Sequence, residues 1–132
     1  MRQNRFAPLL SLGRKAFSRM AETASTELLR KCVAAAIRAP SGDNCQPWAF
    51  QLEPPDRLTI SILPDRAKSF FDFRHCGTFL SVGAVIENIR TEAAAAGFVL
   101  EVSRPGGEPA AVVRLVADSG VRVADSRVRA VY

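Results

Sequence analysis

The chain has 132 residues, 48% hydrophobic and 23% charged, which limits it to one domain while supplying enough apolar material for a core. No apolar run approaches the roughly 18 residues of a membrane-spanning helix or has the form of a secretory h-region, so a soluble, cytoplasmic protein is expected. The formal charge of +5 is carried by Arg2, Arg5, Arg14, Lys15 and Arg19, all ahead of the first acid, Glu22; the remainder has 13 basic and 13 acidic residues, which leaves no basic face for nucleic acid.

An Arg-rich, acid-free opening segment reads either as a transit peptide or as a basic tail, and Pro8 and Gly13, which interrupt any long amphipathic helix, favour the tail. Residues 1–24 are therefore set apart from a domain at 25–132. That domain opens with a helix predicted from about Ser25 to Arg38. Ser25 is a cap candidate, and Leu28, Leu29, Cys32, Val33, Ala36 and Ile37 form one apolar face. Pro40 ends the helix, because the residue before a proline is pushed out of helical backbone.

The text that follows, Ala39 to Trp48, reads "APSGDNCQPW". Two prolines brace a run containing a hydroxyl (Ser41), two amides that both donate and accept (Asn44, Gln46) and a glycine that lets backbone approach a ligand or take a positive φ (Gly42). Such a rim suits a flat heterocycle with alternating donors and acceptors. The same residues are also ordinary turn formers, and Trp48 is an ordinary core residue, so local chemistry alone reads first as a stiff turn.

Two strands come next, Trp48–Glu53 and Leu58–Leu63, joined through "PPDR" into a hairpin. An aromatic-rich loop leads to a long helix from about Cys76 to Ala96. Along it Phe79, Val82, Ile86, Ile89, Ala93 and Ala96 repeat at alternating spacings of three and four, a seam of the coiled-coil kind, and Gly97 sits where a helix terminator belongs. Phe98–Ser103 and Ala110–Ala117 read as two further strands, and "DSRVRAVY" as the start of a helix. The order is α+β, without the βαβ rhythm of a dinucleotide fold. Three cysteines lack metal-ligand spacing and His75 is the only histidine, so no metal site is expected.

The segment "AAAIRAPSGDNCQPWAF" resembles the signature of the flavin-dependent nitroreductase family, A-P-S-x-x-N-x-Q-P-W after a helix. Asp65-Arg66, Asp72 with Arg74, and S-x-G-A-x-x-x-N-x-R from Ser81 to Arg90 resemble, in order, one branch of that family in which a single chain holds two nitroreductase-like halves. The resemblance covers about Leu28 to Tyr132. It implies a nitroreductase-like fold, FMN as cofactor, NAD(P)H as transient hydride donor and a nitroaromatic or quinone-like small molecule as acceptor. By position it places Pro40, Ser41, Gly42 and Asn44 along the flavin ring and adds Gln46; Arg38, ahead of the motif, reads either as a contact to the flavin phosphate or ribityl chain or as a solvated arginine at the helix end. Arg66 and Arg74 are expected as ion-pair partners of Asp65 and Asp72. The seam helix is expected in the interface of a homodimer or against a missing C-terminal half of the same protein. The family's phosphate-binding motif has no match before the first helix, so the chain reads as the N-terminal portion of a longer flavoprotein. A flavin-holding protein without turnover is the alternative reading.

Overall fold

The computed structural model describes residues 23, 25–68 and 72–118; the basic N-terminal segment and the expected last helix lie outside the described residues. Helix α1 (25–36) leads through the proline-braced loop into strands β1 (Trp48–Glu53) and β2 (Arg57–Ile62). Helix α2 (Cys76–Ala95) then crosses to β3 (Phe98–Ser103) and β4 (Ala111–Ala117). The order is hairpin, helix, hairpin. All strand pairs are antiparallel and the sheet order is β1-β2-β4-β3, so the two hairpins join through β2 and β4. This is the expected α+β class.

Local patterns account for most boundaries. Ser25, the expected cap, already has helical backbone, as does Thr23. At the other end α1 stops two residues short of Arg38. Ahead of Pro40 the hydrogen bonds tighten from the Ile37 N–H to Val33 O (3.0 Å) to shorter-range ones, Arg38 N–H to Ala35 O and Ala39 N–H to Ala36 O. Ile37 therefore leaves the apolar face and is exposed, while Leu29, Cys32 and Ala36 are buried as expected. Gly97 takes φ +80 after the last turn of α2, the left-handed step that lets the chain reverse into β3.

One face of the sheet is apolar along every strand. Trp48, Leu58, Ile60, Ala111, Val113 and Leu115 are buried there, with Phe50, Leu52, Phe98 and Leu100 packed at the margins. The opposite face carries polar and charged cross-strand neighbours, Glu53 beside Arg57, Arg57 beside Arg114, and Arg114 beside Glu101. Against the apolar face lie α1 and Val82, Val85, Ile86, Ile89 and Ala93 of α2. The seam expected to meet another helix thus lies in the chain's own core over most of its length. Only its ends differ: Phe79 is 46% exposed and Ala96 is exposed. The physical reason is that an antiparallel sheet with one apolar face must cover it, and α2 is the longest apolar element available.

The core positions make a graded prediction. Ile60→Ala, at a fully buried site on a central strand, is expected to cost about 2–5 kcal/mol, read as a lower urea midpoint at unchanged slope. Leu80→Gln, at a residue 75% exposed on α2, is expected to stay within about 0.5 kcal/mol of the parent.

Candidate functional site

The loop after α1 is a built turn. Ser41 is extended (φ −143, ψ 155), and its backbone carbonyl accepts from the Asn44 N–H at 3.0 Å. Its hydroxyl accepts from the Gln46 N–H at 2.9 Å, and the Cys45 N–H donates to Gly42 O. Inside this frame Asp43, Asn44 and Gln46 take φ of 50, 53 and 46, left-handed backbone that Asn and Asp tolerate and Gln does not favour. The positive φ thus falls on its neighbours and not on Gly42, where it was anticipated. Gly42 is left with open space: a Cβ built there would meet nothing within 4 Å.

A second turn faces the first. Asp72, with a side chain only 8% exposed, accepts from the Gly77 N–H at 2.7 Å, from the Thr78 N–H and from the Thr78 hydroxyl. The carboxylate thus occupies the free N–H groups at the start of α2, a position the helix dipole also favours. Gly77 suits this close approach, since a Cβ there would lie 3.2 Å from Asp72 Oδ1. Between Asp72 and the helix, Arg74 and His75 are left-handed, φ 52 and 58. The Thr78 hydroxyl first, then the Gly77 and Thr78 N–H groups and the charge of His75, hold the Asp72 carboxyl below its usual value.

Between the two turns is a cleft of about 130 Å³ lined by Gly42, Asp43, Cys45, Ala67, Asp72, Gly77, Thr78 and Ser81. Of the residues expected at a flavin, only Gly42 lines it. Asn44 is exposed and Gln46 half-buried, on either side of Cys45. Pro40 and Arg38 are exposed, and the Ser41 hydroxyl braces the loop. Sequence reasoning missed Asp72, Gly77 and Thr78 as one group, because a 3-10 turn (Phe73–His75) separates the capping carboxylate from the helix by more than the usual capping-box spacing.

The expected ion pairs are also replaced. Asp65 pairs with Lys68 at 2.9 Å and Asp72 caps α2, while the Arg74 guanidinium lies over the Phe73 ring, 5.2 Å from its centroid. The rest of the second motif has structural partners: Ser81 Oγ donates to Gly77 O, Asn88 Nδ2 to Ala35 O, and Arg90 Nε to Glu87 Oε1. The three thiols are free and differ in setting: Cys32 is buried, Cys45 half-buried at the cleft, Cys76 exposed. Burial, with a contribution from Glu92, pushes the Cys32 thiol up to about 11. Among the described residues no group of three or more His, Cys, Asp or Glu could hold a metal ion, and no helix is long and apolar enough to cross a membrane.

No protein-family model matches the sequence. Two strains of Mycobacterium tuberculosis, CDC 1551 and H37Rv, carry a protein named "Putative NAD(P)H nitroreductase acg" that is 33% identical to this chain over 82 residues. That stretch is 61% of this chain and 24% of the relative. The likeness is to a nitroreductase-type oxidoreductase. "Uncharacterized protein MT1398" of strain CDC 1551 is 44% identical over 61 residues, 46% of this chain and 8% of that protein. The matched stretch thus spans a minor part of each relative, and the likeness is distant.

Two measurements check this geometry. With a thiol reagent at pH 8, Cys76 should label first, Cys45 more slowly, and Cys32 only after denaturant is added, as followed by peptide mass spectrometry. For Asp72, a folded-state value below the unfolded one contributes stability above the unfolded value that is lost as pH falls through the folded value. Asp72→Asn should therefore be less stable than the parent at neutral pH. That difference should close as the solution is acidified below the ordinary value of 3.8, in parallel urea titrations.

Proposed function

We propose that the chain supplies one wall of an FMN site in an NAD(P)H-dependent oxidoreductase of the nitroreductase type, acting on nitroaromatic or quinone-like acceptors. The observation that supports it most directly is the loop itself. Three non-glycine residues are held in left-handed backbone, two of them the amide-bearing Asn44 and Gln46, at the edge of a cleft where Gly42 leaves room for a flat ring. At Gln46 this backbone is strained, by about 1–3 kcal/mol in general, and strain of this type collects where a ligand is clamped. The similarity to a nitroreductase over 82 residues points to the same chemistry.

The residues present suit part of a flavin and not all of it. A cleft of about 130 Å³ is well under the ~300–1,000 Å³ of small-molecule pockets, so other surfaces must complete it. In this reading those surfaces come from a second copy of the chain or from another half of the same polypeptide. Asn44 and Gln46 bond the polar edge of the ring system, Gly42 and Pro40 lie along its face, Ser41 keeps the loop in shape, and Arg38 reaches toward the phosphate. The redox chemistry is that of the bound flavin, hydride acceptance from NAD(P)H and donation to the acceptor. The chain's own residues bind and orient.

Titration of the full chain with FMN, followed by flavin fluorescence, tests this. Saturable binding is expected, weakened roughly fivefold by Asn44→Ala for one lost hydrogen bond of about 1 kcal/mol, with circular dichroism unchanged. Absence of saturation both at protein concentrations high enough to pair the chain and with the rest of the polypeptide attached, or an Asn44→Ala variant that binds as the parent does, would overturn the reading. Flavin that binds but is not reduced by NADH or NADPH would leave a flavin-holding protein in place of a reductase.

A further inference from the structure

We propose that Asn88, in the middle of α2 and outside the cleft, is the positioning residue that sets the Gly42–Cys45 wall against the α2 wall. Its importance for a ligand rests on the flavin reading above, whereas the mechanical clamp stands apart from it. The basis is a single long-range bond: Asn88 Nδ2 donates to the Ala35 carbonyl at 3.0 Å, across 53 residues of sequence. Ala35 is in the last turn of α1, where carbonyls lose their helical partners, and the same oxygen also accepts from the Arg38 N–H at 3.2 Å. The point at which the loop departs from α1 is thus fixed from two sides.

The neighbouring contacts show what this bond controls. Glu92 acts electrostatically on Cys32, Asn88 bonds Ala35, and Thr78 and Ser81 share the cleft with Gly42. Read in order, residues 32, 35 and 42 advance along one segment as 92, 88 and 78–81 recede along the other. The two segments run antiparallel as far as the cleft. From Ser81 to Asn88 the helix rises roughly 10 Å, at 1.5 Å per residue. Helix α2 therefore acts as a ruler carrying both the clamp and one cleft wall, while α1 with its loop carries the other wall. Leu29 and Cys32 of α1 share one buried cluster with Val85 and Ile89 of α2, and apolar packing of this kind is non-directional. Asn88 contributes what those groups lack, a directional bond that fixes how far α1 slides along α2.

Hydrogen exchange on Asn88→Leu, which removes the donor and keeps the volume, tests the proposal. The amides of Asn44, Cys45 and Gln46, each bonded within the loop, should lose protection about fivefold, the worth of one typical hydrogen bond. A purely structural role would lower strand amides that open only on global unfolding and leave local opening of the loop unchanged; that outcome overturns the proposal. A red shift of Trp48, the only tryptophan and the residue after Pro47, should accompany the loop effect. If the leucine variant does not fold, Asn88→Ser is expected to show the same ordering, with Asn88→Gln, which keeps an amide, recovering part of the protection. FMN affinity is measured on the same samples. Loop amides that respond while no sample binds FMN would sink the flavin reading and keep the clamp; unchanged loop amides would sink the clamp whatever the flavin does.

Discussion

Burial of one face of α2 against the sheet is the constraint on which the rest of the molecule depends. Val82, Val85, Ile86, Ile89 and Ala93 face Leu58, Ile60, Val113 and Leu115 in one cluster, and burying each large aliphatic side chain contributes on the order of 1.5–3 kcal/mol. Once α2 is fixed in this way, its first turn has only one place to lie, and Asp72 completes that turn from outside the helix. Helix α1 buries a narrower stripe, Leu29, Cys32 and Ala36, and its last turn is bonded to α2 through Asn88, so the loop it carries is placed relative to α2. Both walls of the cleft therefore refer to a single helix.

Strain and bracing are balanced in the two turns that form those walls. Asp43, Asn44 and Gln46 on one side, and Arg74 and His75 on the other, occupy backbone that glycine would adopt more easily. Each turn has one polar side chain that collects N–H groups: Ser41 takes that of Gln46, and Asp72 takes those of Gly77 and Thr78. Proline restricts the first turn further, with Pro47 buried at its exit where the chain enters β1 and Leu63 bonds back to it. A loop that only connected α1 to β1 would not require left-handed glutamine. This is the physical ground for reading the turn as more than a connector, and it is independent of any likeness to other proteins.

Elements whose pattern is local were legible from the sequence. The alternation in Leu58–Leu63 and the three-four spacing in α2 report backbone geometry directly, and the observed boundaries follow them to within one residue. What could not be read was which surface an apolar stripe meets. The α2 seam looks the same on paper whether its partner is a helix of another chain or the sheet of its own. Only the pairing of β2 with β4, a contact between distant segments, builds the face that takes it up. The Asp72 cap was hidden for a related reason, since a 3-10 turn lies between carboxylate and helix. The candidate loop was legible as an unusual text, but the distribution of roles within it was not. Ser41 has the composition of a ligand and the geometry of a brace.

The exposed side of α2 then acquires a meaning that the seam has lost. Leu80 is 75% exposed and Phe79 46%, Gly83 has open space around its Cα, and Phe73 stands exposed at the turn that carries Asp72. Large apolar side chains held out at one end of the helix lie next to a cleft too small for its proposed ligand. Two incomplete features at the same end of α2 share one physical solution: a surface that covers the apolar side chains can also supply the remaining wall of the cleft. Completion of the site and burial of the α2 end would then be one association event, and flavin affinity would depend on protein concentration or on covalent linkage of the covering segment. On the flavin reading proposed above, the half-built cleft would be an interface site, with the loop at Ser41 to Gln46 as its prefabricated edge.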